Sequence, residues 1–170
     1  NIRNGELKEQ LKIKVSDIYI TDRVYIEERN LRNYYLSKGY TNSKVSHSIK
    51  ELDDGVEIVF EITEGANTVI KEIHFTGNTI ISERVLKSKL GLKEVGFMRD
   101  GAYQAETLEQ DKMVILNYYR EHGYIDANII DVKIDSVLNE EKSRNELTIL
   151  FVIQEGAQYI FKGLDVSGCE

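Results

Sequence analysis

The chain has 170 residues, which is enough for one large or two small domains. Hydrophobic residues make up 41% and charged residues 30%, a balance that fits folded globular domains and excludes a disordered tail. The formal net charge of −7 argues against a nucleic-acid-binding protein, which usually needs a basic face, although it leaves room for a local basic patch.

Cysteine usage and hydropathy say little about the compartment. Cys169 is the only cysteine, so no disulfide can form within one chain. No apolar run approaches the about 20 residues that a membrane-spanning helix needs, and no signal peptide is visible. The chain begins at Asn1 and enters a helical pattern almost at once. We therefore expect a piece of a longer protein, and an exported protein is compatible with this composition.

The chain opens with two predicted helices. Leu7 and Leu11 recur at the spacing of one helical face, which predicts a short helix over residues 5–12. A second helix is predicted over 27–38. Gly39 follows it, in the position where helices commonly end in a left-handed residue.

Strands follow the second helix. The predicted strands cover residues 44–52, 56–63 and 69–76. In the first of them, Val45 and Ile49 are expected to point inward. Asp53-Asp54-Gly55 predicts a hairpin turn, because these residues favour the backbone angles that such turns require.

The same order of elements then returns. Ser82 is a predicted helix N-cap, and Gly91 is predicted to end that helix. A loop, a long helix, an extended segment, a polar turn and a strand are predicted in turn over residues 93–103, 104–122, 125–137, 138–145 and 147–153. The last strand has inward positions at Leu147, Ile149, Phe151 and Ile153.

Two stretches show that the chain is a repeat. Tyr34-Tyr35 precedes Gly39-Tyr40 as Tyr118-Tyr119 precedes Gly123-Tyr124, with 84 residues between the copies. Further along the chain the offset becomes 91, as between Gly65 and Gly156. The second copy therefore has seven extra residues between its Gly-Tyr pair and Gly156. The repeating unit is strand, helix, helix, strand, strand, with one such domain per period.

The repeat predicts the domain limits. We expect a first domain at 1–67 that lacks its opening strand, and a complete second domain at 68–157. Residues 159–166 match 68–75, so 158–170 is expected to be the opening strand of a following domain. Below, "first repeat" and "second repeat" mean residues 1–67 and 68–157.

The order of these motifs resembles consecutive POTRA (polypeptide-transport-associated) domains, in the form found in BamA-type outer-membrane protein assembly factors. The motifs are Gly123-Tyr124-Ile125-Asp126-Ala127, Phe151-Val152-Ile153-Gln154-Glu155-Gly156 and Ile73-His74-Phe75-Thr76-Gly77-Asn78. The resemblance covers nearly the whole chain. It implies an α+β fold of tandem β-α-α-β-β domains, each with two helices packed on a three-stranded mixed sheet.

The chain departs from this pattern at two points. Ser43 stands where the second repeat has Ala127, which predicts looser packing between helix and strand in the first repeat. Cys169 stands where the first Gly-Asn pair has Asn78. The residues expected to be structural are Gly39, Tyr40, Gly65, Gly77, Asn78, Gly123, Tyr124, Ala127 and Gly156.

The resemblance implies a periplasmic module of an outer-membrane protein in a diderm bacterium, placed ahead of a C-terminal membrane β-barrel. It implies a scaffold that binds unfolded outer-membrane protein clients and accessory lipoproteins, with no bond chemistry. Two alternatives remain open. One is a POTRA module of a two-partner-secretion or organelle protein-import pore, and the other is a structural module of the envelope or of cell division.

No catalytic constellation is visible. His47, His74 and His122 lie in three different predicted elements, whereas metal ligands and acid–base groups usually cluster. Asp53 and Asp54 are better explained by turn chemistry than as an acid–base pair. Cys169 is an equally weak candidate nucleophile. We expect no enzyme activity, metal or cofactor.

The strongest candidate for a binding surface is a sheet edge, where free backbone N–H and C=O groups can accept an added strand. The candidate residues are Lys44, Val45, Ser46, His47 and Ser48 in the first repeat and Asn128, Ile129, Ile130, Asp131, Val132 and Lys133 in the second. The alternative is that Lys44, Lys50 and Lys133 only guard these edges against aggregation.

Side chains beside the edges offer two further candidates. Tyr35 and Tyr119 are expected in the core, whereas Tyr34 and Tyr118 lie on the next helical face as possible exposed binding aromatics. On the outer face of the last strand, Leu150 and Val152 replace Val59 and Glu61 of the first repeat. That more apolar face is expected to contact a partner, a neighbouring domain or the long helix.

Overall fold

The computed structural model of the chain describes residues 2–168. Within them lie four helices, α1 (Asn4–Gln10), α2 (Thr21–Ser37), α3 (Glu83–Lys89) and α4 (Ala105–Glu121). The strands are β1 (Lys44–Leu52), β2 (Gly55–Thr63), β3 (Asn67–Thr76), β4 (Asn128–Asn139) and β5 (Arg144–Gln154). The order is the one that the repeat predicts, helix, helix, strand, strand in the first repeat and strand, helix, helix, strand, strand in the second.

Helix α2 begins at Thr21, six residues before the predicted start at 27. Its buried side chains are Val24, Glu27, Leu31 and Tyr35, which follow the three- and four-residue spacing of a single helical face. Glu27 is 3% exposed. Glu27 interrupts the apolar pattern of the buried helix face. The sequence analysis therefore missed the first turns of α2.

Strands β1 and β2 form an antiparallel two-stranded sheet. Leu52 pairs with Gly55, so Asp53 and Asp54 form the predicted hairpin turn. The predicted inward position of Ile49 is wrong, because its side chain is 40% exposed, whereas Val45 is half-buried as expected. Helix α2 packs on β1, but this packing does not bury Ile49.

The second repeat contains a three-stranded mixed sheet with the order β3-β5-β4, which confirms the predicted α+β fold. The inward side chains of β5 are buried as predicted, and Phe151 and Ile149 are fully inaccessible. Phe75 of β3 stacks on Phe151 with ring centroids 5.1 Å apart. Leu150 and Val152 on the outer face are half-buried, and what covers them stays a prediction.

The β4–β5 hairpin differs in its limits from the prediction. Strand β4 begins at Asn128 rather than 125 and continues to Asn139, which leaves a turn of only four residues, 140–143. Polar side chains tie the hairpin end together, because the Nδ2 of Asn139 and the guanidinium of Arg144 both donate to Glu146 Oε1, at 3.0 and 2.8 Å. The polar composition of this stretch predicts a loop, yet one cross-strand bond, from Asn139 to Glu146, and one bond within β5, from Arg144 to Glu146, support extended structure.

The two ends of α3 are not stabilised by the interactions that the sequence predicts. Ser82 occupies the N-cap position, but its side chain makes no capping hydrogen bond. Gly91 does not have a positive φ. Instead, the carboxylate of Asp111 accepts hydrogen bonds from the backbone N–H groups of Gly91 and Leu92, at 2.5 and 2.9 Å.

Backbone proximity divides the chain into two compact units, which are described separately. The first comprises Asn1–Lys71, Lys93–Gln104 and Ser136–Leu147, and the second comprises Glu72–Leu92, Ala105–Asp135 and Thr148–Glu170. The first unit contains a core cluster of Leu7, Leu31, Tyr35 and Tyr40. The second has buried side chains at Ile73, Leu86, Ile115, Tyr119 and Phe151.

The segment after β5 has no strand between residues 155 and 168. Its apolar side chains are exposed, and Phe161 is 100% exposed. A strand requires a partner for its backbone groups, and no strand of the described chain pairs with this segment. The domain that it is expected to open therefore stays a prediction, and Cys169 lies outside the described residues.

Candidate sheet-edge binding site

The two predicted edge segments lie in strands with different surroundings. Residues 44–48 are in β1 of the two-stranded sheet, and residues 128–133 are in β4, the outer strand of the order β3-β5-β4. Among residues 2–168, no other strand pairs with the outer side of either segment. Within the described part of the chain, both predicted segments therefore lie at an open sheet edge.

The opposite edge of the three-stranded sheet is partly closed. The N–H of Ile70 in β3 donates to the carbonyl of Gly101 at 2.7 Å, and the N–H of Tyr103 donates to the carbonyl of Thr68 at 3.1 Å. The N–H of Val95 also donates to the carbonyl of Ile70 at 2.8 Å. The loop between α3 and α4 thus occupies the edge of β3.

The exposed surface of β4 is unusually apolar for an edge strand. Ile130 is 61% exposed and Val137 is 68% exposed. Lys133 and Asp131 are also exposed and lie between these apolar positions. Natural edge strands are normally short or guarded by charge. Strand β4 has 12 residues and carries both charged and apolar exposed side chains.

Strand β1 uses part of its side chains for internal packing. The Nδ1 of His47 lies 2.5 Å from Oε2 of Glu28 on α2, and the His47 ring meets the Tyr25 ring edge-on at 4.8 Å. Lys50 pairs across the hairpin with Glu57 at 3.8 Å. His47 therefore fastens β1 to α2.

Gly39 and Gly123 do more than end a helix. They have φ values of 86° and 87°, which favour glycine. The carbonyl of Gly39 accepts a hydrogen bond from Thr68 N–H, and that of Gly123 accepts one from Tyr159 N–H, both at 2.8 Å. A Cβ on either glycine would lie 2.6 Å from Thr68 O or 2.7 Å from Tyr159 O. Each glycine therefore docks the chain that leaves the last strand of its own repeat.

The other residues expected to be structural are placed as follows. Positive φ angles occur at Gly65, Gly77 and Gly156, and Asn78 donates from its side chain to the carbonyl of Ile81 at 3.0 Å. Tyr40 and Tyr124 are buried and lie edge-on to Tyr35 and Tyr119, with centroids 5.5 and 6.2 Å apart. Ala127 and Ser43 are both buried, and the Oγ of Ser43 has no hydrogen-bond partner in the described part of the chain.

Glu155 is a structural centre that the sequence analysis missed. Its carboxylate accepts hydrogen bonds from the N–H and hydroxyl of Thr79, from the N–H of Ile80 and from the hydroxyl of Tyr119, at 2.9, 2.5, 2.9 and 2.8 Å. Burial alone would raise the pKa of Glu155, but these donors outweigh it and hold the pKa below its ordinary value. Burial and the Glu155 carboxylate both raise the pKa of Tyr119.

Glu64 is the counterpart of Glu155 in the first repeat. Its Oε1 accepts hydrogen bonds from the Tyr35 hydroxyl at 3.2 Å and from the Ile2 N–H at 3.1 Å. Burial, followed by the nearby carboxylate, raises the pKa of Tyr35 to about 12. The signal for this pair was available in the sequence, because each Glu precedes the repeated Gly and each Tyr belongs to the repeated Tyr-Tyr pair.

A second buried acid recurs with the period of the repeat. Asp111 of α4 is 2% exposed and Glu27 of α2 is 3% exposed, and they lie 84 residues apart in the sequence. Asp111 binds the chain that follows α3, through the N–H groups of Gly91 and Leu92. This acid fixes the end of one helix to the other, and single-residue hydropathy gives no indication of it.

The first tyrosine of each pair is only partly exposed. Tyr34 is half-buried, its hydroxyl bonds to Glu6, and the ammonium of Lys38 lies 5.5 Å from its ring centroid. Tyr118 is also half-buried, with Lys89 4.7 Å from its ring centroid. Both rings are occupied by residues of their own unit, whereas Tyr35 and Tyr119 are buried as predicted.

The described residues contain no group of three or more His, Cys, Asp or Glu side chains arranged to hold a metal ion. His74 lies beside Glu72 and Glu83 on an exposed surface, and His122 bonds to the carbonyl of Tyr118 at 2.7 Å. Between residues 2 and 168, no helix has the length and apolar character needed to cross a membrane.

Sequence comparison identifies the family. The family model for POTRA, described as a surface antigen variable number repeat, matches residues 1–65 and 68–156. The chain belongs to the POTRA family, and its relatives include proteins named BamA. This confirms the resemblance predicted from the repeated motifs.

The similar curated proteins are far longer than this chain. A Treponema pallidum (strain Nichols) protein, provisionally named an outer membrane protein assembly factor, is 36% identical over 167 residues, which are 98% of this chain and 20% of that protein. Outer membrane protein assembly factor BamA of Neorickettsia risticii (strain Illinois) is 30% identical over 141 residues, which are 80% of this chain and 18% of that protein. The chain thus spans about a fifth of the length of the curated relatives it matches.

Solved structures show the same fold. The crystal structure of POTRA domains 3–5 of Haemophilus influenzae BamA matches with a TM-score of 0.52 at 17% identity, covering 98% of this chain and 68% of that one. BamA of Haemophilus ducreyi lacking POTRA domains 1–3 matches with a TM-score of 0.50 at 18% identity, covering 91% of this chain and 27% of that one.

Proposed function

We propose that the chain is a scaffold and client-binding module for the folding and insertion of β-barrel proteins into the outer membrane. It binds extended polypeptides by addition of a strand to an open sheet edge. The family membership and the BamA names of its relatives support the pathway. The observation that carries the binding mode is the open edge of β4 opposite the edge of β3 that the loop at 101–103 occupies.

Strand addition suits this task because it is general. The main-chain hydrogen bonds of an added strand are the same for every client sequence, and only alternate side chains meet the receiving sheet. Outer-membrane barrel strands have alternating apolar side chains. The exposed Ile130 and Ile134 on β4 give such side chains an apolar surface. We assign β1 the same role through its backbone.

The proposed role involves no bond chemistry. The carboxylates of the buried acids Glu155 and Asp111 accept hydrogen bonds from backbone N–H groups, and that of Glu155 also accepts one from the Tyr119 hydroxyl. His47 bonds to Glu28 of its own repeat. The titratable groups therefore have structural partners, and we propose a non-enzymatic module without cofactor.

The names of the relatives support a proposal for the cellular location and partners of the module. We propose that it lies in the periplasm as part of an outer-membrane protein that also has a membrane β-barrel, and that accessory lipoproteins of the assembly complex bind it. Its domains are proposed at 1–67 and 68–157, with 158–170 opening a further domain. A single membrane helix in place of a C-terminal barrel in the full-length protein would contradict this assignment and favour a structural module of the envelope.

The binding mode is tested by titration with a synthetic peptide that has the sequence of an outer-membrane barrel strand. Backbone amide NMR signals of residues 128–133, and of 44–48, should shift. The amides of Ile70 and Tyr103, which already donate to backbone carbonyls, should move little. Shifts confined to the four helices would reject strand addition.

A proline substitution gives a second test. Ile130→Pro places a residue without N–H in the open edge and should weaken peptide binding about tenfold or more. Ile160→Pro is the matched control, because Ile160 is also exposed, at 70%, but lies outside every described strand. Circular dichroism should show helices intact in both variants. Equal affinity of the two variants would remove β4 as the receiving edge.

A further inference from the structure

The loop between α3 and α4 contains a small hairpin that its counterpart in the first repeat does not have. Ten residues, 11–20, connect α1 to α2, whereas fifteen residues, 90–104, connect α3 to α4. The longer loop forms a short antiparallel bridge across 96–99, and residues 11–20 contain no such bridge. The first repeat therefore joins its two helices without the hairpin, and the connection itself does not require it.

Backbone hydrogen bonds fix the shape of this hairpin. The N–H of Gly96 donates to the carbonyl of Arg99 at 3.0 Å, and the N–H of Arg99 donates back to the carbonyl of Gly96 at 3.3 Å. At the base, the N–H of Val95 donates to the carbonyl of Ile70, and the N–H of Ile70 donates to the carbonyl of Gly101, at 2.8 and 2.7 Å. The hairpin is thus attached to β3, so its tip loses little conformational freedom on meeting a partner.

The two residues at the tip, Phe97 and Met98, are apolar for no reason internal to the fold. Phe97 is fully exposed and Met98 is 89% exposed. Two-residue hairpin turns favour glycine, asparagine and aspartate at positive φ, and neither Phe97 nor Met98 has a positive φ. Neither burial nor turn geometry therefore favours large apolar side chains here. Two adjacent exposed apolar side chains on a fixed loop indicate a contact outside the chain.

The charge beside the tip is positive. Arg99 is exposed next to Met98. The following acid, Asp100, has its Oδ1 3.3 Å from the N–H of Ala102, at the base of the hairpin. The tip therefore combines two apolar side chains with a guanidinium, in a chain whose net charge is −7. An anionic surface attracts this tip and repels the chain as a whole, which favours contact through the tip alone.

The small size of the tip favours a lipid surface over a protein partner. A stable protein interface buries about 800 Å² on each partner, far more than two side chains at the end of a hairpin supply. A bilayer needs no matching contour. Apolar side chains enter the boundary between headgroups and acyl chains, and a neighbouring arginine keeps its charge among the headgroup phosphates.

We propose that the hairpin at 96–99 is a membrane-contact site that inserts Phe97 and Met98 into the headgroup region of a bilayer, with Arg99 at the phosphates. This inference rests on the proposed function, which places the module beside the outer membrane. A single myristoyl chain binds membranes only marginally, and two side chains bury less apolar surface than that. The contact is therefore weak for the free chain and is strengthened by a tether, which raises its effective concentration at the bilayer.

A fluorescent reporter tests insertion directly. The chain has no tryptophan, so Phe97→Trp introduces a single indole at the tip. A C-terminal histidine tag holds the chain on vesicles of phosphatidylethanolamine and phosphatidylglycerol that contain a nickel-chelating lipid. The indole emission should then shift to shorter wavelengths, and brominated acyl chains should quench it.

Val15→Trp is the matched control, because Val15 is 99% exposed in the corresponding loop of the first repeat. On the same vesicles its emission should stay at the wavelength of an indole in water. An unshifted emission for Phe97→Trp, or equal shifts for the two variants, would overturn the proposal.

Charge substitutions test the binding energy of the untethered chain in vesicle co-sedimentation. Phe97→Asp should weaken binding about tenfold or more, whereas Val15→Asp should bind like the wild type. Arg99→Gln should weaken binding to vesicles that contain phosphatidylglycerol and leave binding to phosphatidylcholine vesicles unchanged. Equal losses in Phe97→Asp and Val15→Asp would show general adsorption and overturn the proposal, and equal effects of Arg99→Gln on both vesicles would overturn the role of Arg99.

The barrel-strand peptide separates this inference from the proposed function. Phe97→Asp should keep the peptide-induced amide shifts of residues 128–133 while it loses vesicle binding. A wild-type chain that binds the peptide but not the vesicles would overturn the membrane contact alone, and the reverse result would overturn the client edge alone. An emission of Phe97→Trp that shifts with the peptide but not with vesicles would assign the tip to a protein partner and overturn the proposal.

Discussion

The hydroxyl of Tyr119 donates a hydrogen bond of 2.8 Å to Oε1 of Glu155, and Tyr119 is fully buried. The bond joins the last turn of α4 to the residue that follows β5. The same carboxylate accepts hydrogen bonds from the N–H groups of Thr79 and Ile80, in the chain that follows β3. Three segments of the second repeat therefore meet at one side chain, and the first repeat has a weaker version of it in Tyr35 and Glu64.

The Glu155 carboxylate should contribute measurably to stability. Glu155→Gln keeps the shape but removes the charge and turns one acceptor oxygen into a donor that faces backbone N–H groups. The free energy of unfolding should fall by about 1–3 kcal/mol, measured by urea denaturation with far-UV circular dichroism. Glu64→Gln is the control, and because Glu64 has fewer donors the loss should be smaller. An equal loss in both variants would contradict this account of the site.

The low pKa of Glu155 predicts a specific acid dependence. A carboxyl whose folded-state pKa lies below its unfolded value of about 4.3 stabilises the fold above that unfolded value. The stabilisation is lost as pH falls through the folded pKa, because the unfolded state then binds more protons. The difference in unfolding free energy between wild type and Glu155→Gln should shrink as the pH falls from 6 towards about 3. A difference independent of pH would show that the charge contributes nothing.

Glycine at position 123 should be required for docking of the chain after β5. Gly123→Ala introduces a Cβ 2.7 Å from the carbonyl of Tyr159, at a φ of 87°. We expect a loss of about 1–3 kcal/mol, together with faster amide exchange at Tyr159, whose N–H bonds to Gly123.

Gly5→Ala is the control for this variant, because Gly5 lies in α1 with no atom within 4 Å of an added Cβ. It should be neutral or stabilising, by up to about 1 kcal/mol. Unchanged amide exchange at Tyr159 in Gly123→Ala would show that the glycine serves only to end the helix.

The buried hydroxyl of Ser43 should be a liability that the second repeat avoids. Its Oγ has no partner among the described residues, and the corresponding residue is Ala127. Ser43→Ala should raise the unfolding free energy by up to about 1 kcal/mol, because a buried polar group without a partner is removed. The reciprocal Ala127→Ser should lower it by about 1 kcal/mol or more. A loss of stability in Ser43→Ala would mean that the hydroxyl has a partner in solution.

The sequence by itself predicted the elements whose signal is local. Gly39 and Gly123 were recognised as helix ends, and the hairpin at Asp53 and Asp54 was placed correctly. Such features depend on hydrophobic periodicity and turn chemistry over a few neighbouring residues. The same motifs recur after 84 residues, and their order led to the resemblance to the POTRA family. The comparisons confirmed that family.

The tertiary structure decided everything that depends on a distant partner. The roles of Glu155 and Asp111 were invisible because a buried acid is tolerated only where hydrogen-bond donors surround it, and no local pattern reports donors that come from other segments. Which sheet edge stays open is likewise a property of pairing. The sequence determined that strands exist, whereas only the fold showed that residues 101–103 occupy the edge of β3 and that, within the described residues, β4 lies at the opposite edge of the sheet.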